Sequence, residues 1–146
     1  MAAMSDYLEN KLIDQIFRAQ AYTFPTTLYI GLLTAAPTDS TAGTEVTGGS
    51  YARVGVTNAL TAWAGTQAAG STVASTGATG TTSNNAAITF PAPTAAWGVV
   101  THIAIYDAVT AGNILFYSAL TTSKTINNGD AAPAFAIAAL TVQIDN

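Results

Sequence analysis

The apolar positions change their period once along the chain, and that change organises the reading. Leu8, Leu12, Ile13, Ile16 and Phe17 recur at the spacing of one helix face while Asp6, Asn10, Asp14 and Arg18 fall elsewhere, which predicts an amphipathic helix over 5–19. Ser5 stands where an N-cap belongs. Asp6 and Glu9 lie in the positive first turn, and Asp14 to Arg18 has the i,i+4 spacing of a favourable ion pair. Beyond Pro25 the period falls to two, and short strands are predicted at 27–33, 50–56, 86–90, 99–107, 113–120 and 140–144, with weaker ones at 124–126 and 135–137.

In the 99–107 strand, strict alternation puts Val99, Thr101, Ile103 and Ile105 on one face and Val100, His102, Ala104 and Tyr106 on the other. Both faces are largely apolar, as in a central strand. Leu140, Val142 and Ile144 alternate with polar residues, as in a strand with one wet face. Asn128-Gly129 and the 107–113 segment with Gly112 read as hairpin connections. Eight or so short strands behind one helix predict a mainly β fold, a β-sandwich or jelly-roll-like domain preceded by one N-terminal α-helix. The whole of 1–146 reads as a single domain, with the sandwich over 26–146.

Residues 64–85 interrupt that pattern. They are built of Ala, Gly, Ser, Thr and Asn with one Gln, and Val73 is their one large apolar side chain, so burial cannot offset the entropy of fixing the backbone. The expectation is a flexible insertion that neighbouring molecules hold in place.

Composition narrows the function. The 146 residues carry 4 basic and 8 acidic side chains, with no cysteine and one histidine, and no charged residue occurs between Arg53 and Asp107. Four scattered cations in a chain of net charge -4 make no phosphate-binding patch, which argues against nucleic acid. Disulfides and thiolate metal sites are excluded. The N-terminus has no apolar h-region, so no secretory signal is expected, and the apolar stretch over 131–140 is too short and alanine-rich to cross a bilayer. So long an uncharged middle implies a surface held soluble by hydroxyls and amides, or covered by other proteins.

No catalytic constellation emerges. His102 and Asp107 are an odd number of residues apart on one strand and so face opposite ways, which leaves a packed histidine as the better reading. Ser118 lacks a Gly-x-Ser-x-Gly elbow. The carboxylates show no calcium-loop or metalloprotease spacing, and Asp39, Asp107 and Asp130 stand beside predicted turns, where they cap backbone groups. Gly48-Gly49 and the glycines at 77 and 80 are not followed by Lys-Ser/Thr, so they cradle no phosphate. No catalytic, metal or cofactor-binding residue is assigned. The residues expected at a protein-protein interface are Leu8, Leu12 and Ile16 on the helix, Tyr22 after it, Val46 and Tyr51 around the 35–49 loop, and Trp63 and Val73 around the 64–85 segment.

Several stretches carry a family resemblance: SDYLENKLIDQIF, PTTLYIGLLTAAPTD, EVTGGSYARVGVT, AAWGVVTHIAIYDA followed by GNILFYSAL, and the closing LTVQID. Together they resemble a family of small virion proteins of tailed bacteriophages commonly labelled phage tail fibre proteins, over nearly the whole chain. The resemblance implies a structural, non-enzymatic role in a virion assembled in a bacterial cytoplasm. Long fibres need a shaft of heptads, collagen-like glycines or repeated β units, which 146 residues with one short helix do not supply. Capsid decoration is therefore expected ahead of a short tail fibre or appendage. The expected partners are the major capsid protein or tail structural proteins and further copies of the chain, as a dimer or trimer, through interfaces above about 2,000 Å². A host-surface glycan enters only under the tail alternative, and neither nucleic acid nor membrane is expected.

Overall fold

The helix begins where its cap predicts. In the computed structural model, which describes residues 2–144, Ser5 precedes α1 (Asp6–Phe17) in an extended conformation and its Oγ accepts from Leu8 N at 3.3 Å. The same hydroxyl donates to the Ile114 carbonyl, and the Ser5 backbone N–H donates to Leu115 O, so one residue both caps the helix and ties it to a strand. Asp14 and Arg18 pair at 2.8 Å. Leu8 alone of the α1 residues is buried, so the helix is anchored by its first turn.

Strand β1 (Ala3–Met4) leads into that helix. Then come β2 (Thr27–Ala35), β3 (Thr44–Glu45), β4 (Val54–Thr57), β5 (Thr81–Ser83), β6 (Ile88–Thr89), β7 (Gly98–Tyr106), β8 (Ile114–Ile126), β9 (Ala134–Phe135) and β10 (Thr141–Gln143). The main sheet has the antiparallel order β1-β8-β7-β2-β3, with β4 sharing the outer edge of β2 with β3. Two ribbons, β5 with β10 and β6 with β9, form the opposing layer. Ile30, Leu32, Ile103 and Ile105 from the sheet meet Ile88, Phe90, Leu140 and Val142 from the ribbon layer in one buried cluster. The molecule is thus a β-sandwich with one N-terminal helix, as the periodicity predicts. The other face of the main sheet carries a smaller cluster of Leu33, Ala104, Tyr106 and Ile114.

Strand β7 is central, between β8 and β2, but its alternation does not survive along its length. Between His102 and Val100 it advances two residues while β8 advances five, from Ala119 to Lys124. This bulge turns Val100 into the same core as Ile103, so strict parity misplaces the first half of the strand. It also leaves 120–123 of β8 with no partner on β7, and the predicted strands at 113–120 and 124–126 become one kinked strand.

Residues 64–85 are more organised than their composition suggests. Gln67 Nε2 donates to Ser71 Oγ at 2.6 Å and to Ala74 O at 3.3 Å, while its Oε1 accepts from Thr76 N at 3.2 Å. Thr66 Oγ1 donates to Gly77 O at 3.1 Å, and a Cβ on Gly77 would stand 2.4 Å from Thr66 O, so only glycine allows the approach. Polar side chains closing on backbone supply here what apolar burial does not. The segment's last turn joins the fold outright, as β5 and the buried Asn84. The Asn84 amide donates to Ala86 O and Ala136 O at 2.7 and 2.8 Å, and its Oδ1 accepts from Leu140 N at 2.9 Å.

Candidate interaction surfaces

The residues with the most chemical potential are used to close one flank of the sheet. On the outer edge of β2, β4 pairs with 27–30 and β3 with Leu33 and Ala35, leaving a gap at Gly31 and Leu32. Tyr51 fills it: its hydroxyl accepts from Leu32 N at 2.9 Å and donates to Glu45 Oε1 at 2.8 Å. A Cβ on Gly31 would meet the Tyr106 ring at 2.8 Å and the Tyr51 hydroxyl at 3.2 Å, so this slot requires a glycine. Arg53 lies alongside, its Nε and Nη2 bidentate on Glu45 at 2.8 and 2.7 Å. Its Nη1 donates to Ala108 O and Ala111 O, both at 2.8 Å, and its guanidinium sits 3.3 Å from the centre of the Tyr106 ring.

The Arg53 side chain is 7% exposed. Burial opposes its charge, yet the Glu45 hydrogen bonds and charge outweigh this and hold the guanidinium above its ordinary pKa. Burial also pushes the Tyr51 hydroxyl well up, and raises that of Tyr106 from 10.0 to about 12. The cluster is a largely enclosed tie between the β3–β4 edge and the 107–113 connection, with four Arg53 hydrogen bonds and the Tyr51 hydroxyl all directed at protein acceptors. It has the form of a structural strut.

The rest of the candidate chemistry is equally quiet. His102 Nδ1 lies 2.8 Å from Thr101 Oγ1. Asp107 accepts from the Asn113 backbone and side chain, and Asp130 from Asn127 N, both as turn caps. Among the described residues no group of three or more His, Cys, Asp or Glu could hold a metal ion.

The expected interface residues separate into two sets. Leu8 and Val46, each 3% exposed, are packed inside the protomer and have no surface to offer a neighbour; periodicity marks apolar residues without saying which side of the fold they meet. Tyr51 is occupied at the sheet edge, and Trp63 is half-buried against the core. Leu12 is half-buried, and Tyr22 packs edge-on against Tyr7 and Phe24. Ile16 and Val73 are open, at 67% and 62% exposure. Ile16 has company: Ile13 and Phe17 on the same helical stripe are 50% and 78% exposed, with Phe24 beyond them. Three large apolar side chains on one face of a short helix make an exposed stripe of the kind that marks an interaction site.

A second open feature lies on the β8 side. The kink at 120–123 opens a groove of about 520 Å³ between the sheet and the ribbons, floored by Val100, Ile103, Ile126 and Leu140 and rimmed by Thr121 and Thr122. Among the described residues Lys124 is the one charged side chain in its lining. Nothing in the sequence pattern announced it, because it exists through the bulge. The polar partners of Arg53 and Asn84 were likewise invisible, since Arg53 reads as one scattered cation and Asn84 as part of a low-complexity run.

No curated protein matches the chain. A family model does, described as podophage GP4 fiber I protein gp80, and it matches residues 3–143, a span that takes in β1, α1 and both layers of the sandwich. The chain belongs to this podophage fibre-protein family.

Proposed function

We propose that the protein is a non-enzymatic structural part of a short phage fibre, borne on the tail and acting through protein-protein contact. The observation that carries this reading is the family match over 3–143. Support comes from the exposed stripe of α1 and the open groove, surfaces suited to packing, and from the strut that absorbs Arg53, Glu45 and Tyr51. The missing shaft, which put capsid decoration first on sequence grounds, weighs less against a fibre role. A compact sandwich serves as the tip or foot of a fibre whose shaft other chains build, and fold alone does not choose between them. The family description therefore reverses that order.

Labelling the protein on intact particles and imaging them tests the reading. Label at the tail in few copies is expected, and purified protein should compete with particles for the host surface, where a glycan is the partner this reading brings in. Label spread over the head, in numbers matching the capsid lattice, would return the assignment to capsid decoration.

A further inference from the structure

Two apolar features have no partner within the protomer, and they lie at opposite ends of one strand. Ser5 fastens α1 to β8 at Ile114 and Leu115, and the stripe of Ile13, Ile16 and Phe17 stands out from that end. The groove opens at the far end of β8, along its kinked second half. We propose that copies of this chain associate head to tail, with the α1 stripe of one copy seated in the β8 groove of the next.

Size and charge both select this occupant. A cavity of about 150 Å³ holds a benzene ring, so about 520 Å³ has room for the Phe17 ring together with the side chains of Ile13 and Ile16. Among the described residues the groove lining carries Lys124 and no carboxylate. On the helix, Glu9 lies four residues before Ile13, on the same face and one turn nearer the N-terminus. The ion pairs among the described residues are Arg18–Asp14 and Arg53–Glu45, so neither Glu9 nor Lys124 has an ion-pair partner among them. Glu9 of one copy reaches Lys124 of the next. The open β8 backbone at 120–123, unpaired on β7, adds polar groups at the rim for the visiting helix to cover.

Donor and acceptor are different patches, so the contact is heterologous and each copy can engage two others. Such contacts close into rings or extend into filaments. The exposed stripe is a patch on the order of a few hundred Å², smaller than the ~800 Å² that each partner contributes to a stable pair. The contact is accordingly modest: it is populated between free copies at high concentration and strengthened where it is repeated or where an assembly holds the copies together.

Sedimentation velocity on the full chain at rising concentration tests this, using a helix-blocked variant, Ile16→Asp with Phe17→Asp, and a groove-blocked variant, Thr122→Glu with Lys124→Glu. All four positions are exposed, and circular dichroism checks that each variant folds; Ile16→Ser with Phe17→Ser and, at the exposed groove rim, Thr121→Gln with Thr122→Gln replace any that does not. The wild type is expected to grow past a dimer or to close at a ring. Each blocked variant alone stays monomeric, and the two mixed form a one-to-one dimer and nothing larger, because one supplies the groove and the other the helix. Glu9→Lys weakens association by about two- to fivefold, the range of an exposed ion pair, and adding Lys124→Glu to it restores the loss. A wild type that remains monomeric, a helix-blocked variant that associates as the wild type does, or a mixture that stays monomeric overturns the proposal. Any of these outcomes leaves the location of the protein on the particle to be decided by the labelling.

Discussion

The outer edge of β2 and the outer edge of β8 are finished differently. Along β2, β4 covers 27–30, the Tyr51 hydroxyl caps Leu32, and β3 takes Leu33 and Ala35, with Arg53 and Glu45 clamped across the outside. Along β8, β1 reaches only Phe116 and Tyr117 before the strand kinks away into the groove. The same sheet therefore has one flank closed by strands and by the Tyr51, Glu45 and Arg53 side chains, and one where backbone and apolar floor are left accessible. An unprotected edge is ordinarily a liability in a β protein. Its persistence beside a fully closed one suits a protein that works by meeting others.

The largest effect that would break this contrast is Arg53→Ala. It strands Glu45 and two backbone carbonyls and should lower stability by about 3–4 kcal/mol in denaturant unfolding, as loss of one partner from a buried pair does. Arg53→Lys should recover only part of this, because an ammonium cannot make the bidentate contact. Asn84→Ala removes the hydrogen bonds that join the 84–86 turn to 136–140 and should cost about 2–3 kcal/mol. It should also raise hydrogen exchange in the ribbon layer before the main sheet.

Alkali should loosen the closed flank. The folded pKa of Tyr106 stands at about 12 against 10.0 for a free tyrosine, and that of Tyr51 is raised as well. Their contribution is intact below pH 10.0 and is lost as the pH climbs from there through the folded values, since the unfolded chain sheds these protons more readily. Partial exposure limits the effect to about 1 kcal/mol, and the appearance of tyrosinate absorbance together with unfolding would record it. The smallest change is expected where the apolar area is most conspicuous: Ile16→Ser with Phe17→Ser should move protomer stability by about 0.5 kcal/mol or less. A larger loss in the melting of the isolated protomer would mean that the α1 stripe packs internally.

Much of this was legible from residue order. The cap at Ser5, the Asp14–Arg18 pair, the central position of the 99–107 strand and the sandwich architecture follow from period and turn chemistry. The bulge opposite Thr101 was not, because parity arguments count residues and a bulge changes the count. The strut was hidden for a different reason. Glu45, Tyr51, Arg53 and Tyr106 converge through tertiary folding, and nothing local distinguishes Arg53 from a solvated arginine. In the 64–85 segment the hydrogen bonds of Thr66, Gln67 and Asn84 are equally unreadable, because a run of small polar residues does not show which of them will meet backbone.

The distribution of cations also bears on how the protein meets digestive enzymes. Trypsin-type proteases cut after lysine and arginine, and between Lys11 and Arg18 on the helix and Lys124 at the kink the chain offers only Arg53, whose side chain the strut encloses. Limited digestion should therefore trim the leading helix and nick the kinked strand while sparing everything between. Protection of the Lys124 bond would then report, without any label, that the groove has found its occupant.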